Sequence, residues 1–220
     1  MSIPTSAVVW QPAWRIIPSR FPPIQLFERV SDPADWDAVI ELESLTNPRL
    51  RDEIGDVQLV SLEDRIGGPG ASAIMAAFTH LNPAGSRFSD GSYGVFYAAQ
   101  EIEIAIAETK HHRAAFMRAT AQAAQELDMR VYAIDLNGAL HDLRGQQSAL
   151  PEIYDPNDYG AGQALGRRLR SEGSHGVAYD SVREAGGSCA AVFRPPALSN
   201  CRQERHLCYV WDGTVIGLVY

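Results

Sequence analysis

Lysine, cysteine and long apolar runs are all scarce in this sequence. Of its 19 lysine and arginine residues only Lys110 is lysine, and the formal net charge is −8. A chain this acidic lacks the surplus of cations that neutralises nucleic-acid phosphates, so we expect no direct contact with DNA or RNA. No run of about 18 apolar residues is present that would span a bilayer, and we expect no membrane partner.

The three cysteines, Cys189, Cys201 and Cys208, do not have the CxxC spacing of a structural zinc site, and their odd number does not suit a disulfide framework. Cys201, His206 and Cys208 are close enough in sequence to be considered as metal ligands. Their spacing also suits residues that alternate along a strand, which is the interpretation we favour. We therefore expect no metal and a reducing, cytoplasmic location.

Length and hydrophobic content, 220 residues and 45%, predict one domain over residues 1–220. Prolines predict an extended N-terminal segment over 1–13. Periodicity predicts helices over 34–45, 72–78, 101–127 and 161–170, and strands over 14–17, 58–61, 94–98, 130–136, 176–179, 189–193, 206–211 and 215–219. Helices dominate the middle and strands the end, which predicts an α+β fold with mixed sheets and flanking helices.

Two common motifs are weighed and set aside. Residues 68–73 formally fit a dinucleotide-binding turn, but the preceding residues 61–66 are mostly polar and Pro69 removes a backbone donor. Ser181 with His112 or His175 offers parts of a hydrolase triad, but the chain has no Gly-x-Ser-x-Gly elbow. We expect neither a Rossmann site nor a serine hydrolase.

The most informative stretch is 85–112. Arg87 follows Gly85 closely, Tyr97 lies on the next predicted strand, and Glu108 follows the apolar residues 104–107. His112 is one helical turn beyond Glu108 and therefore on the same face. A carboxylate among apolar neighbours is costly unless it is paired, so Glu108 is either the structural partner of an arginine or catalytic.

These segments, in this order, resemble the RES-domain family, which is named for its arginine, glutamate and serine. The resemblance is carried by Gly-Ser-Arg-Phe at 85–88, Val-Phe-Tyr-Ala-Ala at 95–99, Ala-Ile-Ala-Glu at 105–108, His-Gly-Val-Ala-Tyr-Asp-Ser-Val-Arg at 175–183 and Ala-Ala-Val-Phe at 190–193. Upstream, Trp-Arg-Ile-Ile-Pro-Ser-Arg at 14–20 is similar to the family's opening strand. The likeness runs from residue 14 to the end.

The resemblance implies a fold like that of ADP-ribosyltransferases and a bacterial toxin that splits the nicotinamide–ribose bond of NAD. It implies transfer of ADP-ribose to water or phosphate, with a protein ADP-ribosyltransferase as the alternative. It also implies a helix-turn-helix antitoxin as partner. A different class, a non-catalytic nucleotide-binding module, would use the same pocket. Relative to the simplest family pattern, residues of about 34–80 resemble a helical insertion.

The resemblance also assigns roles. Glu108 would bind the ribose and stabilise developing positive charge, and Arg87 would anchor the pyrophosphate together with Arg15 or Arg20. Tyr97 would contact the nicotinamide ribose.

Two further residues complete the set. Ser181 would hydrogen-bond the substrate, and His112 would orient Glu108 or assist the acceptor. Structural alternatives stay open for each: a buried salt bridge between Arg87 and Glu108, core packing for Tyr97, a strand-end cap for Ser181, and a solvated position for His112.

Overall fold

The backbone is organised around one mixed sheet of seven strands, in the order β1-β2-β5-β4-β3-β6-β7. The strands are β1 (Thr5–Pro18), β2 (Phe96–Ala99), β3 (Gln125–Asp142), β4 (Gly176–Asp180), β5 (Ser188–Val192), β6 (Leu198–Trp211) and β7 (Ile216–Val219). Strands β3 and β4 are parallel and the other pairs antiparallel, while a further β1–β3 pairing closes five of the strands into a ring. The predicted α+β class with a mixed sheet is confirmed.

The structure is a computed structural model and describes residues 3–19, 26–29, 32–44 and 54–220. The helices are α1 (Leu26–Arg29), α2 (Trp36–Ser44), α3 (Ala71–Thr79), α4 (Ile102–Ala119) and α5 (Gly160–Ser171). Short 3-10 helices lie at Pro33–Asp35, Val57–Leu59, Leu62–Asp64 and Pro195–Ala197. No helix among the described residues is both long and apolar enough to cross a bilayer.

Side chains that alternate along the strands pack into two cores on opposite faces of the sheet. The α3-side core joins the sheet to α1–α3 and includes Phe27, Trp36, Ile74, Phe78, Phe96, Tyr132, Ile134 and Cys201. The α4-side core joins it to α4 and α5 and includes Ile104, Met117, Leu165, Leu169, Val177, Tyr179, Cys189 and Ala191, with Tyr97 packed against it. Side chains of neighbouring residues in one strand therefore lie in different cores, one on each face of the sheet.

Strand β1 is longer than the predicted 14–17 and takes up most of the segment expected to be merely extended. It pairs with β3 from Thr5 to Pro18, with a register shift between Trp10 and Ala13. Pro12 lies at this irregularity, where the missing N–H of proline does not interrupt the ladder. The prolines in the sequence indicated an extended segment. They could not indicate the pairing with β3, which makes this segment part of a regular strand.

The predicted helix 101–127 ends early, at Ala119, and the prediction is wrong for its last residues. Gln125, Glu126 and Leu127 already belong to β3, where they pair with Trp211, Val210 and Tyr209 of β6. Glutamine, glutamate and leucine favour helices locally, but the ladder to β6 overrides that preference.

The predicted strand 58–61 is also wrong, because Val57–Leu59 forms a 3-10 helix capped by the Asp56 carboxylate. Together with α2 and α3 it contributes Val57 and Ile74 to the α3-side core. The described part of 34–80 thus packs as a layer on the sheet. That this layer is an insertion relative to other family members stays a prediction.

Candidate functional site

Glu108 and Ser181 form the central contact of the site. Glu108 lies on α4 and Ser181 follows the end of β4, and the Ser181 hydroxyl donates to Glu108 Oε1 at 2.6 Å. The same oxygen, Oγ, accepts from the backbone N–H groups of Arg183 and Glu184, each at 3.0 Å. A serine hydroxyl has one proton and two lone pairs, so all its positions are used. Ser181 therefore positions Glu108 and caps the turn after β4, as the strand-end alternative predicted, and a hydrogen bond from its hydroxyl to a substrate stays a prediction.

The second carboxylate oxygen of Glu108 is less constrained. Its side chain retains 19% exposure, and Oε2 lies 3.8 Å from His112 Nε2. The His112 side chain is 56% exposed, so the solvated position considered for it is the one observed. Partial loss of hydration, followed by the Arg183 and Arg87 cations, lowers the pKa of His112 to about 4. The imidazole is then neutral at pH 7, so the contact is not an ion pair. Glu108 thus keeps a second carboxylate oxygen that no hydrogen bond within the described ranges occupies.

Cys189 lies behind this carboxylate, with its sulfur 4.0 Å from Glu108 Oε1. The thiol is buried, and burial followed by the neighbouring Glu108 raises its pKa above the ordinary range. Since the thiolate is the reactive form of cysteine, Cys189 is inert packing. Cys189 is part of the α4-side core, against which the Glu108 carboxylate packs.

Arg87 is buried, at 8% exposure, and is held by the loop before α5. Its Nη1 donates to the carbonyl oxygens of Ile153 at 2.8 Å and Asp155 at 2.9 Å. Its guanidinium also stacks on the Tyr159 ring, 4.7 Å from the centroid. In the described ranges no carboxylate lies within 4.0 Å of Arg87, so the structure does not have the buried Arg87–Glu108 salt bridge considered above. Nε and Nη2 keep their donors for a ligand.

Tyr97 supports the arginine loop from β2. Its hydroxyl donates to Ser86 Oγ at 2.8 Å and accepts from the Phe88 N–H at 2.9 Å, so it grips both neighbours of Arg87. Burial raises the pKa of Tyr97 to about 12, which keeps it protonated and able to donate. Tyr97 therefore acts on the site by fixing the loop that carries the arginine.

Helix α5 contributes to the site through glycines that the sequence analysis did not single out. A Cβ at Gly162 would lie 2.4 Å from the Arg87 carbonyl oxygen, and one at Gly166 would lie 2.1 Å from that of Phe88. Glycines four residues apart lie on one helix face, which lets α5 touch the arginine loop directly. The four-residue spacing of Gly162 and Gly166 is the feature of the sequence that could have predicted this close contact.

Arg15 is not brought to this cluster. Its guanidinium lies 4.3 Å from the centre of the Phe96 ring, in the α3-side core, and its Nη1 donates to the Tyr97 carbonyl oxygen at 3.0 Å. Burial lowers the pKa of Arg15 to about 10, an effect partly opposed by Cys201, Tyr97 and Tyr132. Arg20, the other candidate for this role, lies outside the described residues.

The dinucleotide-turn interpretation of 68–73 is disfavoured by geometry as well as by sequence. The Glu28 carboxylate accepts from the Ser72 N–H at 2.9 Å and from its hydroxyl, and so occupies the α3 N-terminus where a phosphate would bind. Gly70 packs against β6, where a Cβ would lie 2.0 Å from the Cys201 carbonyl oxygen. Residues 68–73 therefore pack against β6 and α1 rather than bind a phosphate.

Metal binding was the other alternative for the cysteines. Cys201, His206 and Cys208 all lie on β6, as the strand interpretation predicted. Within the described ranges, no three histidine, cysteine, aspartate or glutamate side chains come together as metal ligands.

Comparisons with known proteins identify the family of this chain. An uncharacterized protein y4oC of Sinorhizobium fredii (strain NBRC 101917 / NGR234) is 34% identical over 210 residues, which is 94% of this chain and 86% of that protein. A crystal structure of the M. tuberculosis MbcT–MbcA toxin–antitoxin complex aligns with a TM-score of 0.48 and 14% identity, over 95% of this chain and 87% of that one. The family model of the RES domain matches residues 63–212, which contain Arg87, Tyr97, Glu108, His112 and Ser181 but not Arg15. This chain therefore belongs to the RES-domain family.

Proposed function

We propose that this protein cleaves the nicotinamide–ribose bond of NAD and passes the ADP-ribose to water or inorganic phosphate. One observation carries the proposal: Ser181 fixes one oxygen of the Glu108 carboxylate, the side chain keeps 19% exposure, and the charges of Glu108 and Arg87 both act on the Cys189 thiol. Membership of the RES-domain family supports it.

The chemistry suits such a site. Nicotinamide leaves as a neutral molecule, and positive charge develops on the ribose as in other glycosyl cleavages. A preoriented carboxylate stabilises that charge without having to reorganise during the reaction. Glu108 Oε2 would supply this stabilisation, while the remaining N–H donors of Arg87 would hold a phosphate of the dinucleotide. No metal takes part in this scheme.

The test is nicotinamide release from NAD by Glu108→Gln. Glutamine keeps an oxygen to accept from Ser181 but removes the charge, so the fold should persist and turnover should fall at least about tenfold. Glu103→Gln is the matched control, because Glu103 is exposed in the first turn of the same helix. Wild-type turnover by a folded Glu108→Gln protein would remove Glu108 from the mechanism.

The acceptor is decided by where labelled ADP-ribose ends. Free ADP-ribose indicates hydrolysis, and a phosphate-dependent phosphorylated product indicates phosphorolysis. Label on lysate protein instead indicates the alternative, protein ADP-ribosylation. A protein that binds NAD and returns it unchanged is a binding module, and the proposed function is then wrong.

We further propose a toxin role with a helix-turn-helix antitoxin as partner, for which family membership is the support. Expression of the wild type should arrest growth, and Glu108→Gln should not. Co-expression of a small helix-turn-helix protein encoded beside the gene should restore growth. Unimpaired growth with intracellular NAD unchanged contradicts the toxin role.

A further inference from the structure

A second arginine, Arg183, approaches the loop that Arg87 holds. Arg87 Nη1 donates to the carbonyl oxygen of Asp155 at 2.9 Å, and Arg183 Nη2 donates to the carbonyl oxygen of the next residue, Pro156. Consecutive Cα atoms are about 3.8 Å apart, so two guanidinium groups bind neighbouring peptide units. Two cations thus converge on one short stretch of backbone.

Neither of these two cations forms an ion pair in the described part of the chain, although the charge of Arg87, after hydrogen bonds from the backbone, contributes to the lowered pKa of Asp155. Across the described ranges no carboxylate lies within 4.0 Å of either guanidinium. The carboxylate of Asp155 itself accepts from the N–H groups of Asn157 and Asp158 within its own turn. The two guanidinium groups donate to neutral carbonyl oxygens, so both positive charges stay available to attract an anionic ligand.

Arg183 also carries an unsatisfied donor. Its Nε is buried and has no hydrogen-bond partner in the described chain. Leaving a buried donor of a charged group unpaired costs free energy, and such groups in native proteins commonly have a functional explanation.

The position of Arg183 ties it to the reacting part of the site. Its backbone N–H donates at 3.0 Å to Ser181 Oγ, the oxygen that donates in turn to Glu108. Among neighbouring charges, Arg183 is the first contributor to the lowered pKa of His112, ahead of Arg87. The Arg183 backbone is therefore tied to the Ser181–Glu108 contact, and the charge of Arg183, like that of Arg87, acts on His112.

Resting on the proposed function, we infer that Arg183 is the second cation that binds the pyrophosphate of the dinucleotide, together with Arg87. The pyrophosphate of NAD has two phosphoryl groups, and guanidinium forks suit one each. This is the role that the sequence pattern offered to Arg15, whose guanidinium lies over Phe96 in the opposite core.

The first test measures binding of ADP-ribose, which retains the pyrophosphate but has no bond to cleave. Arg183→Gln should weaken its affinity about tenfold or more, the size expected for losing a charge-assisted hydrogen bond. Arg168→Gln, an exposed arginine on α5 paired only loosely with Glu172, should bind as wild type. Wild-type affinity of a folded Arg183→Gln protein overturns the inference.

The second test uses the wild-type protein and does not depend on a variant folding. Arginines are modified with phenylglyoxal with and without saturating ADP-ribose and quantified by mass spectrometry. Arg183 and Arg87 should be protected while Arg168 is not, and equal modification of Arg183 in both samples overturns the inference. Protection of Arg183 in a protein that does not cleave NAD supports the inference while refuting the proposed function. NAD cleavage by a protein in which ADP-ribose does not protect Arg183 supports the proposed function and refutes the inference about Arg183.

Discussion

The polar atoms of the site divide by how many of their hydrogen-bonding positions the protein already occupies. The Ser181 hydroxyl and the Tyr97 hydroxyl are engaged in donation and acceptance within the chain. Glu108 keeps Oε2, and Arg87 keeps Nε and Nη2. We therefore expect Glu108 and Arg87 to contact the substrate, while Ser181 contacts Glu108 and Tyr97 holds the loop that carries Arg87.

Replacing Ser181 with alanine tests this division. Ser181→Ala frees Glu108 to rotate and leaves two backbone N–H groups unpaired, so we expect turnover on NAD to fall about tenfold and stability by about 1–3 kcal/mol. KM should change little, because the hydroxyl does not touch the substrate. Steady-state kinetics and urea unfolding measure these effects, with Ser148→Ala in an exposed turn as control. A rise in KM with unchanged kcat would instead mean that Ser181 binds NAD.

His112 makes a prediction for pH. Its folded-state pKa of about 4 lies below the ordinary 6.5, so the unfolded chain takes up this proton first as the pH falls. The contribution of a neutral His112 to stability is complete above pH 6.5 and is lost as the pH falls toward 4. His112→Gln should therefore lose less free energy of unfolding than wild type between pH 7 and pH 5. Parallel losses in the two proteins would show that His112 titrates normally.

The secondary structure elements show where local pattern sufficed and where it did not. The α5 helix and strands β4 and β5 fall within one or two residues of their predicted bounds, because each has clear periodicity and a glycine at or near one end. The start of β3 was missed, since it depends on pairing with β6 some 80 residues later.

The candidate site, like the secondary structure, could be predicted only in part from the sequence. The motifs named Glu108 and Ser181, which are in contact, and Tyr97, which holds both neighbours of Arg87, although β3 and α5 separate Ser181 from the other three along the chain. Arg15 could not be assigned correctly from local pattern, because the register shift between Trp10 and Ala13 sets which face of the sheet its side chain meets. The face of the sheet on which a side chain lies depends on how its strand pairs with the neighbouring strand.

The close approach of α5 to the arginine loop leads to a further prediction. Gly162→Ala places a methyl group 2.4 Å from the Arg87 carbonyl oxygen, so the helix or the loop must shift. We expect a stability loss of about 1–3 kcal/mol and weaker ADP-ribose binding. Gly160→Ala at the start of the same helix, where a Cβ meets only the Asp158 side chain at 3.2 Å, is the matched control. Unchanged ADP-ribose affinity in Gly162→Ala would mean that Arg87 tolerates movement of its loop.

The molecule as a whole has two layers of helices, and only one carries the site. Glu108, Arg87 and Ser181 all lie on the side of α4 and α5, whereas α1–α3 cover the opposite face. Yet β2, β3, β4 and β5 give side chains to both cores, Phe96 and Tyr97 being neighbours that face opposite ways. The strands that position the site are therefore supported from behind by the layer that does not touch it.

That dependence can be measured at Trp36, which is 1% exposed and packs against Phe27 with ring centroids 4.2 Å apart. If the layer is integral, Trp36→Ala should cost about 3–5 kcal/mol and lower the midpoint of a single unfolding transition, because removal of a buried indole leaves a cavity in a core shared with the sheet. Leu42→Ala on the same helix, at 67% exposure, should change stability by less than about 0.5 kcal/mol. Urea unfolding followed by circular dichroism, with NAD turnover of the folded fraction, gives both quantities. A near-neutral Trp36→Ala, or a separate early transition that leaves NAD turnover intact, would show that α1–α3 form an appended layer that the opposite side of the sheet does not need.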